Sequence, residues 1–85
     1  MANYTVVLSK KAQKVLDKLS DHIADPILDA IANLEENPKP IGYIKLKGRA
    51  GYRIRIGNYR VIYAIFDNEL IIEIVTLGHR KDIYE

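Results

Sequence analysis

Two periods of apolar and polar positions divide this chain. From Lys10 to Leu19 the apolar residues Ala12, Val15, Leu16 and Leu19 recur at i, i+3, i+4 and i+7, which predicts an amphipathic helix with its lysines outside. Ser9 stands before it as an N-cap. A second stripe of Ile23, Ile27, Ile31 and Leu34 predicts another helix, ending at Asn37 before the breakers Pro38 and Pro40. Its start is open: either Asp25 caps and Pro26 is the first helical residue, or the helix begins near Asp21 and tolerates Pro26 in an early turn.

Elsewhere the period falls to two. Tyr4 to Leu8, rich in β-branched and aromatic residues, suits a first strand, and Tyr43 to Lys47 is a short strand followed by a turn through Gly48 to Gly51. Three strands then follow closely, Tyr52 to Ile56, Tyr59 to Phe66 and Leu70 to Leu77, joined by Gly57-Asn58 and by Asp67-Asn68-Glu69. Tyr59 to Phe66 is apolar on both sides except at Arg60, as a central strand would be. The expected order is β-α-α-β-β-β-β with a short C-terminal helical turn over Arg80 to Tyr84. That is an α+β fold in which an antiparallel sheet packs on a helical pair.

Composition narrows the chemistry. The chain of 85 residues reads as a single domain without repeats or low-complexity segments, and a core of this size leaves roughly 3–5 kcal/mol of net stability. It contains no cysteine, so disulfides and thiolate metal ligands are excluded. No signal pattern opens it and no apolar run approaches the ~20 residues that span a bilayer, so the expectation is a soluble cytoplasmic protein with no membrane role.

Charge changes the picture more. The net charge is only +2, yet residues 45 to 60 hold Lys45, Lys47, Arg49, Arg53, Arg55 and Arg60 with no Asp or Glu among them. A two-residue Gly57-Asn58 loop would pair Ile56 with Tyr59 and Arg55 with Arg60, and opposed residues share a sheet face. Arg53, two residues from Arg55, projects from that face as well. Cross-strand like charges destabilise a sheet, so three arginines on one face suggest a bound anion. The last strand, running antiparallel beside the central one, would deliver Gly78-His79-Arg80 to the same place, and Tyr84 could fold back over it. Guanidinium forks bind phosphate oxygens bidentately and an aromatic ring can stack on a base, so the cluster favours a phosphodiester. It contains no carboxylate suited to Mg²⁺, and neither metal nor cofactor is expected.

The stretches LKGRAGYRIRIGNYRVIYAI, residues 46 to 65, and VTLGHRKDIY, residues 75 to 84, resemble the RelE-type toxins of the RelE/ParE superfamily, the ribosome-dependent mRNA interferases of toxin–antitoxin pairs. The resemblance spans nearly the whole chain. It implies a microbial RNase-like fold, cleavage of mRNA in the ribosomal A site, and neutralisation by a RelB-like antitoxin in a hetero-oligomer. Carried over by position, the family's basic pair falls on Arg53 and Arg55, its hairpin arginine on Arg60, the arginine after the last strand on Arg80 and the closing tyrosine on Tyr84. The implied mechanism is metal-independent attack of a ribose 2′-OH on the adjacent phosphate. Arg60 and Arg80 would neutralise developing charge, Tyr84 would stack on the scissile nucleotide, and Arg53 and Arg55 would hold the backbone and assist proton transfer. Lys45, Lys47 and Arg49 would extend the RNA contact.

Many relatives carry lysine at one or both ladder positions, whereas guanidinium pKa exceeds ~12, so no general base is evident here. His79 is a candidate because an imidazole titrates near neutrality, although adjacent side chains of an extended segment point apart. His22 reads as a surface or capping residue. Two other functions compete: a ParE-like inhibitor that binds DNA gyrase, and an RNA- or ribosome-binding module without catalysis.

Overall fold

The computed structural model describes residues 3–83. Its elements run β1 (Thr5–Leu8), α1 (Lys10–Lys18), α2 (Asp21–Asn33), β2 (Ile44–Lys45), β3 (Tyr52–Ile56), β4 (Tyr59–Phe66) and β5 (Ile71–His79). The strands form one sheet in the order β1-β5-β4-β3-β2, with β4 at its centre. The pairs β2–β3, β3–β4 and β4–β5 are antiparallel, whereas β1 joins the edge parallel to β5, which makes the sheet mixed. Both helices cover one face, α1 against β1 and β5, α2 against β3.

The core lies between these layers. Ala12 and Leu16 of α1, and Ile27 and Ile31 of α2 with Leu34 just beyond it, meet Ile54, Val61, Tyr63, Ile72, Ile74 and Leu77 of the sheet. These are the two helical stripes and the inward set of the strands, so burial of the apolar face drives the assembly. Ser9 joins the layers: its Oγ accepts from the Ala12 N–H at 3.0 Å and donates to the Val75 carbonyl at 2.7 Å. The cap of α1 is thereby tied to β5. Tyr63, fully buried, donates its hydroxyl to the Pro38 carbonyl at 2.7 Å and so holds the proline loop.

Several boundaries differ from the sequence expectation. The second helix begins at Asp21 with Pro26 inside it and ends at Asn33, after which residues 34–36 continue as turns. Pro26 fits because α2 can forgo one backbone bond on its exposed side. The strand expected over residues 43–47 shrinks to Ile44–Lys45. Leu70 takes φ +54 in the β4–β5 connection, bonded through its N–H to the Asp67 carbonyl at 3.3 Å, so β5 starts one residue later and runs on to His79. Residues 80–82 form turns, with the Asp82 N–H on the His79 carbonyl at 2.8 Å. The expected helical turn reaches Tyr84, which lies outside the described residues.

Candidate nucleic-acid interface

The site is built by the β3–β4 turn. Gly57 takes φ +59 at the first loop position, the left-handed region that two-residue hairpins with glycine first require. This fixes Ile56 opposite Tyr59 and Arg55 opposite Arg60. Ile54, Ile56, Tyr59 and Val61 pack toward the helices, so Arg53, Arg55 and Arg60 occupy the other face.

On the next strand an irregularity decides which residues join them. Ile62 pairs with Thr76 but Tyr63 pairs with Ile74, leaving Val75 as an extra residue on β5. The core set accordingly runs Ile72, Ile74, then Leu77, changing parity at the bulge. Gly78 therefore stands opposite Arg60 on the arginine face, and His79 stands opposite Tyr59 on the helix face. Its ring meets the Tyr59 ring edge-on, with centroids 5.5 Å apart at 77°. Its Nδ1 accepts the Lys81 N–H at 3.2 Å. The bulge thus carries His79 to the side of the hairpin away from the arginines.

Arg80 completes the cluster through its backbone, donating its N–H to the Asn58 carbonyl at 2.7 Å. The segment after β5 is thereby locked to the hairpin turn. Ile83 packs on Gly78, where a Cβ would come within 2.9 Å of it, and its carbonyl accepts from Arg60 Nη1 at 3.4 Å. The result is a pocket of about 160 Å³ lined by Arg55, Gly57, Asn58, Tyr59, Arg60 and Arg80. Among the described residues its lining offers three arginines and an asparagine and no carboxylate. Such a set can bind the oxygens of a phosphate in several directions at once.

Arg55, Arg60 and Arg80 are brought together as expected. Arg53 shares their face but is only 3% exposed and does not line the pocket, because it lies one pairing further along the sheet opposite the buried Ile62. Lys45, opposite Tyr52, is exposed about 10 Å along the sheet from Arg55 at ~3.4 Å per residue, and Lys47 and Arg49 are exposed in the connection between β2 and β3. Asn58 and Tyr59 are pocket residues that the sequence reading did not single out, although they flank the loop that directs the arginines. His22 is exposed at the start of α2 with its Nδ1 3.2 Å from Ser20 Oγ. Among the described residues no three His, Cys, Asp or Glu side chains gather as metal ligands, and no helix is long and apolar enough to cross a membrane.

Comparison with known proteins identifies the family and the fold. Residues 6–84 match the family model of the ParE toxin of type II toxin–antitoxin systems, parDE. Toxin RelG of Mycobacterium tuberculosis is 32% identical over 83 residues, 95% of either chain. The archaeal RelE–RelB complex of Pyrococcus horikoshii contains a chain 32% identical, with a TM-score of 0.83 over 95% of this chain and 99% of that one. The toxin–antitoxin complex RelBE2 of Mycobacterium tuberculosis contains another, 29% identical, with a TM-score of 0.82 over 94% of each. With its two helices laid on one face of the mixed sheet and its arginines gathered on the other, the chain belongs to the RelE/ParE superfamily of type II toxin–antitoxin toxins.

Proposed function

We propose that the protein is a ribosome-dependent endoribonuclease that cleaves mRNA in the A site by metal-independent transesterification. The observation that carries this reading is the convergence of Arg55, Arg60 and Arg80 on one small pocket at the β3–β4 turn. The repulsion between opposed arginines is offset when a phosphate lies between them. In the reaction, the ribose 2′-oxygen attacks the adjacent phosphorus in line, the bond from phosphorus to the 5′-oxygen breaks, and a 2′,3′-cyclic phosphate and a 5′-OH result. The 2′-OH proton leaves to solvent and the departing 5′-oxygen gains one.

Arg60 and Arg80 stabilise charge on the non-bridging oxygens, a role worth roughly 10²–10³ in rate each. Arg55, exposed at the pocket rim, holds the neighbouring backbone. Arg53 adds positive potential from beneath the face without touching the RNA. Tyr84 stacks on the scissile nucleotide, while Lys45, Lys47 and Arg49 form an outlying contact with ribosomal or messenger RNA. His79 has no part in proton transfer at the phosphate, since the bulge places it across the hairpin.

The proteins of similar fold in complex with RelB antitoxins support an antitoxin partner for this chain, assembled with it as a hetero-oligomer. The site of action in this reading is the cytoplasm, where ribosomes and mRNA meet. The match to the ParE toxin model keeps open the second reading that the resemblance implies, inhibition of DNA gyrase by binding alone. Primer extension on a reporter mRNA in a translating extract separates them. Codon-phased cuts that require ribosomes and vanish in an Arg60→Ala/Arg80→Ala variant support the interferase. Intact mRNA with well-folded protein, together with loss of gyrase supercoiling activity, would establish the other.

A further inference from the structure

A second cavity lies on the opposite side of the same turn. It is a cleft of about 460 Å³ between the first turns of α2 and the β3–β4 hairpin, lined by His22, Ile23, Pro26, Ile56, Gly57, Asn58, Tyr59 and His79. Its size is within the range of small-ligand sites, and its make-up follows their pattern of apolar walls with a few polar groups. Ile23, Pro26 and Ile56 supply the walls, and Tyr59 with His79 supplies an aromatic corner fixed by the edge-on contact.

The polar groups suit the edge of a base. Because His79 Nδ1 accepts the Lys81 N–H, the ring proton resides on Nε2, a donor. Pro26 has no N–H, so the carbonyl of His22 cannot receive its usual helical bond from residue 26, and both residues line the cleft. The residue with this donor and the residue with this spare acceptor thus both stand around an aromatic, apolar slot. Gly57, Asn58 and Tyr59 line this cleft and the arginine pocket alike.

We propose that the cleft is a nucleobase subsite, which takes the base of a nucleotide flanking the phosphate held by Arg55, Arg60 and Arg80. The RNA strand passes over the Gly57-Asn58 turn, leaving its phosphate on the arginine face and turning a neighbouring base onto Tyr59 and His79. Single-stranded RNA is read in this way, by splaying bases out onto aromatic and imidazole surfaces. This rests on the RNA-cleaving reading of the arginine pocket.

The test uses the free toxin with a 2′-O-methylated trinucleotide, which lacks the attacking hydroxyl and stays intact. Affinity is measured for the full trinucleotide and for versions abasic at the 5′ or the 3′ position, alongside imidazole NMR signals of His22 and His79. One abasic version is expected to bind about 5- to 160-fold more weakly, the range of a single stacked base. The other should bind nearly as well as the parent. The His79→Ala variant should lose similar affinity for the parent and be insensitive to the same abasic change, while both imidazoles shift on titration of the wild type. Abasic versions that bind as tightly as the parent, with affinity still lost in Arg80→Ala, would overturn the subsite and leave the phosphate reading standing. Imidazole shifts with affinity unchanged in Arg80→Ala would retain the cleft and overturn the phosphate reading. Absence of binding by any trinucleotide would overturn both.

Discussion

Arg55 and Arg60 stand directly opposite each other across the β3–β4 ladder, like charges on one sheet face. The arrangement costs stability: opposed like charges are unfavourable, on a scale where favourable cross-strand pairs are worth about 0.2–1 kcal/mol. Arg55→Thr should therefore raise stability in urea denaturation by an amount of that order, while weakening RNA cleavage at least tenfold. Inorganic phosphate should stabilise the wild type more than the variant, because only the former keeps all three guanidiniums at the pocket. A variant that loses both stability and activity would show that the pair is structural.

The pH profile of cleavage follows from where the bulge puts His79. No imidazole lines the arginine pocket among the described residues, and a guanidinium does not act as a base near neutral pH. The single-turnover rate should rise with pH through neutrality without a plateau near 6.5, and His79→Ala should keep that shape. Its effect is expected on KM, through the base cleft. A bell-shaped profile that flattens in His79→Ala would instead make the imidazole a proton carrier.

Much of this arrangement was legible in the sequence, and the limits are physical. A two-residue loop permits one register, so the opposition of Arg55 and Arg60 follows from Gly57-Asn58 alone. The helical stripes likewise identify Ala12, Leu16, Ile27, Ile31 and Leu34 as buried. Strand ends are harder, because Leu70 looks like a strand residue and only the closure of a four-residue connection drives it to positive φ. The bulge at Val75 was invisible: Val75-Thr76-Leu77 reads the same whether or not one residue is skipped, yet the skip reverses the faces of Gly78 and His79. Burial of Arg53 was equally hidden, since alternation assigns a face and says nothing about what covers it.

Tyr63 sets an alkaline limit on the fold. Burial, the main cause, and the neighbouring Tyr43 and Tyr52 push its phenol up to about 12 from an ordinary value near 10. The folded state thus holds this proton more tightly than the unfolded chain. Its contribution is intact below pH ~10 and is lost as pH rises from there to about 12, at a slope of up to ~1.4 kcal/mol per pH unit. Tyr63→Phe should lose about 1 kcal/mol at pH 7 with the bond to Pro38, and should show a shallower fall in stability above pH 10. Equal slopes in the two proteins would assign the alkaline loss to other groups.

Gly78 controls how the segment after β5 closes on the arginines. A Cβ there would lie 2.9 Å from Ile83 Cγ1 and 3.1 Å from its Cδ1, closer than side chains tolerate, and among the described residues Asp82 Cβ comes next at 4.0 Å. The strain is relieved by moving Ile83, which also withdraws its carbonyl from Arg60 Nη1. Gly78→Ala should therefore fold with stability within about 1 kcal/mol of the wild type, because the moving group is a half-buried side chain outside the strands and helices. Its cleavage rate should fall roughly tenfold or more as the phosphate pocket loosens, and Gly78→Val should fall further. Pairing Gly78→Ala with Ile83→Ala removes the clash, so the double variant should recover part of the lost rate. Failure to recover, with both proteins folded, would mean that Gly78 acts by letting RNA approach the β5 backbone.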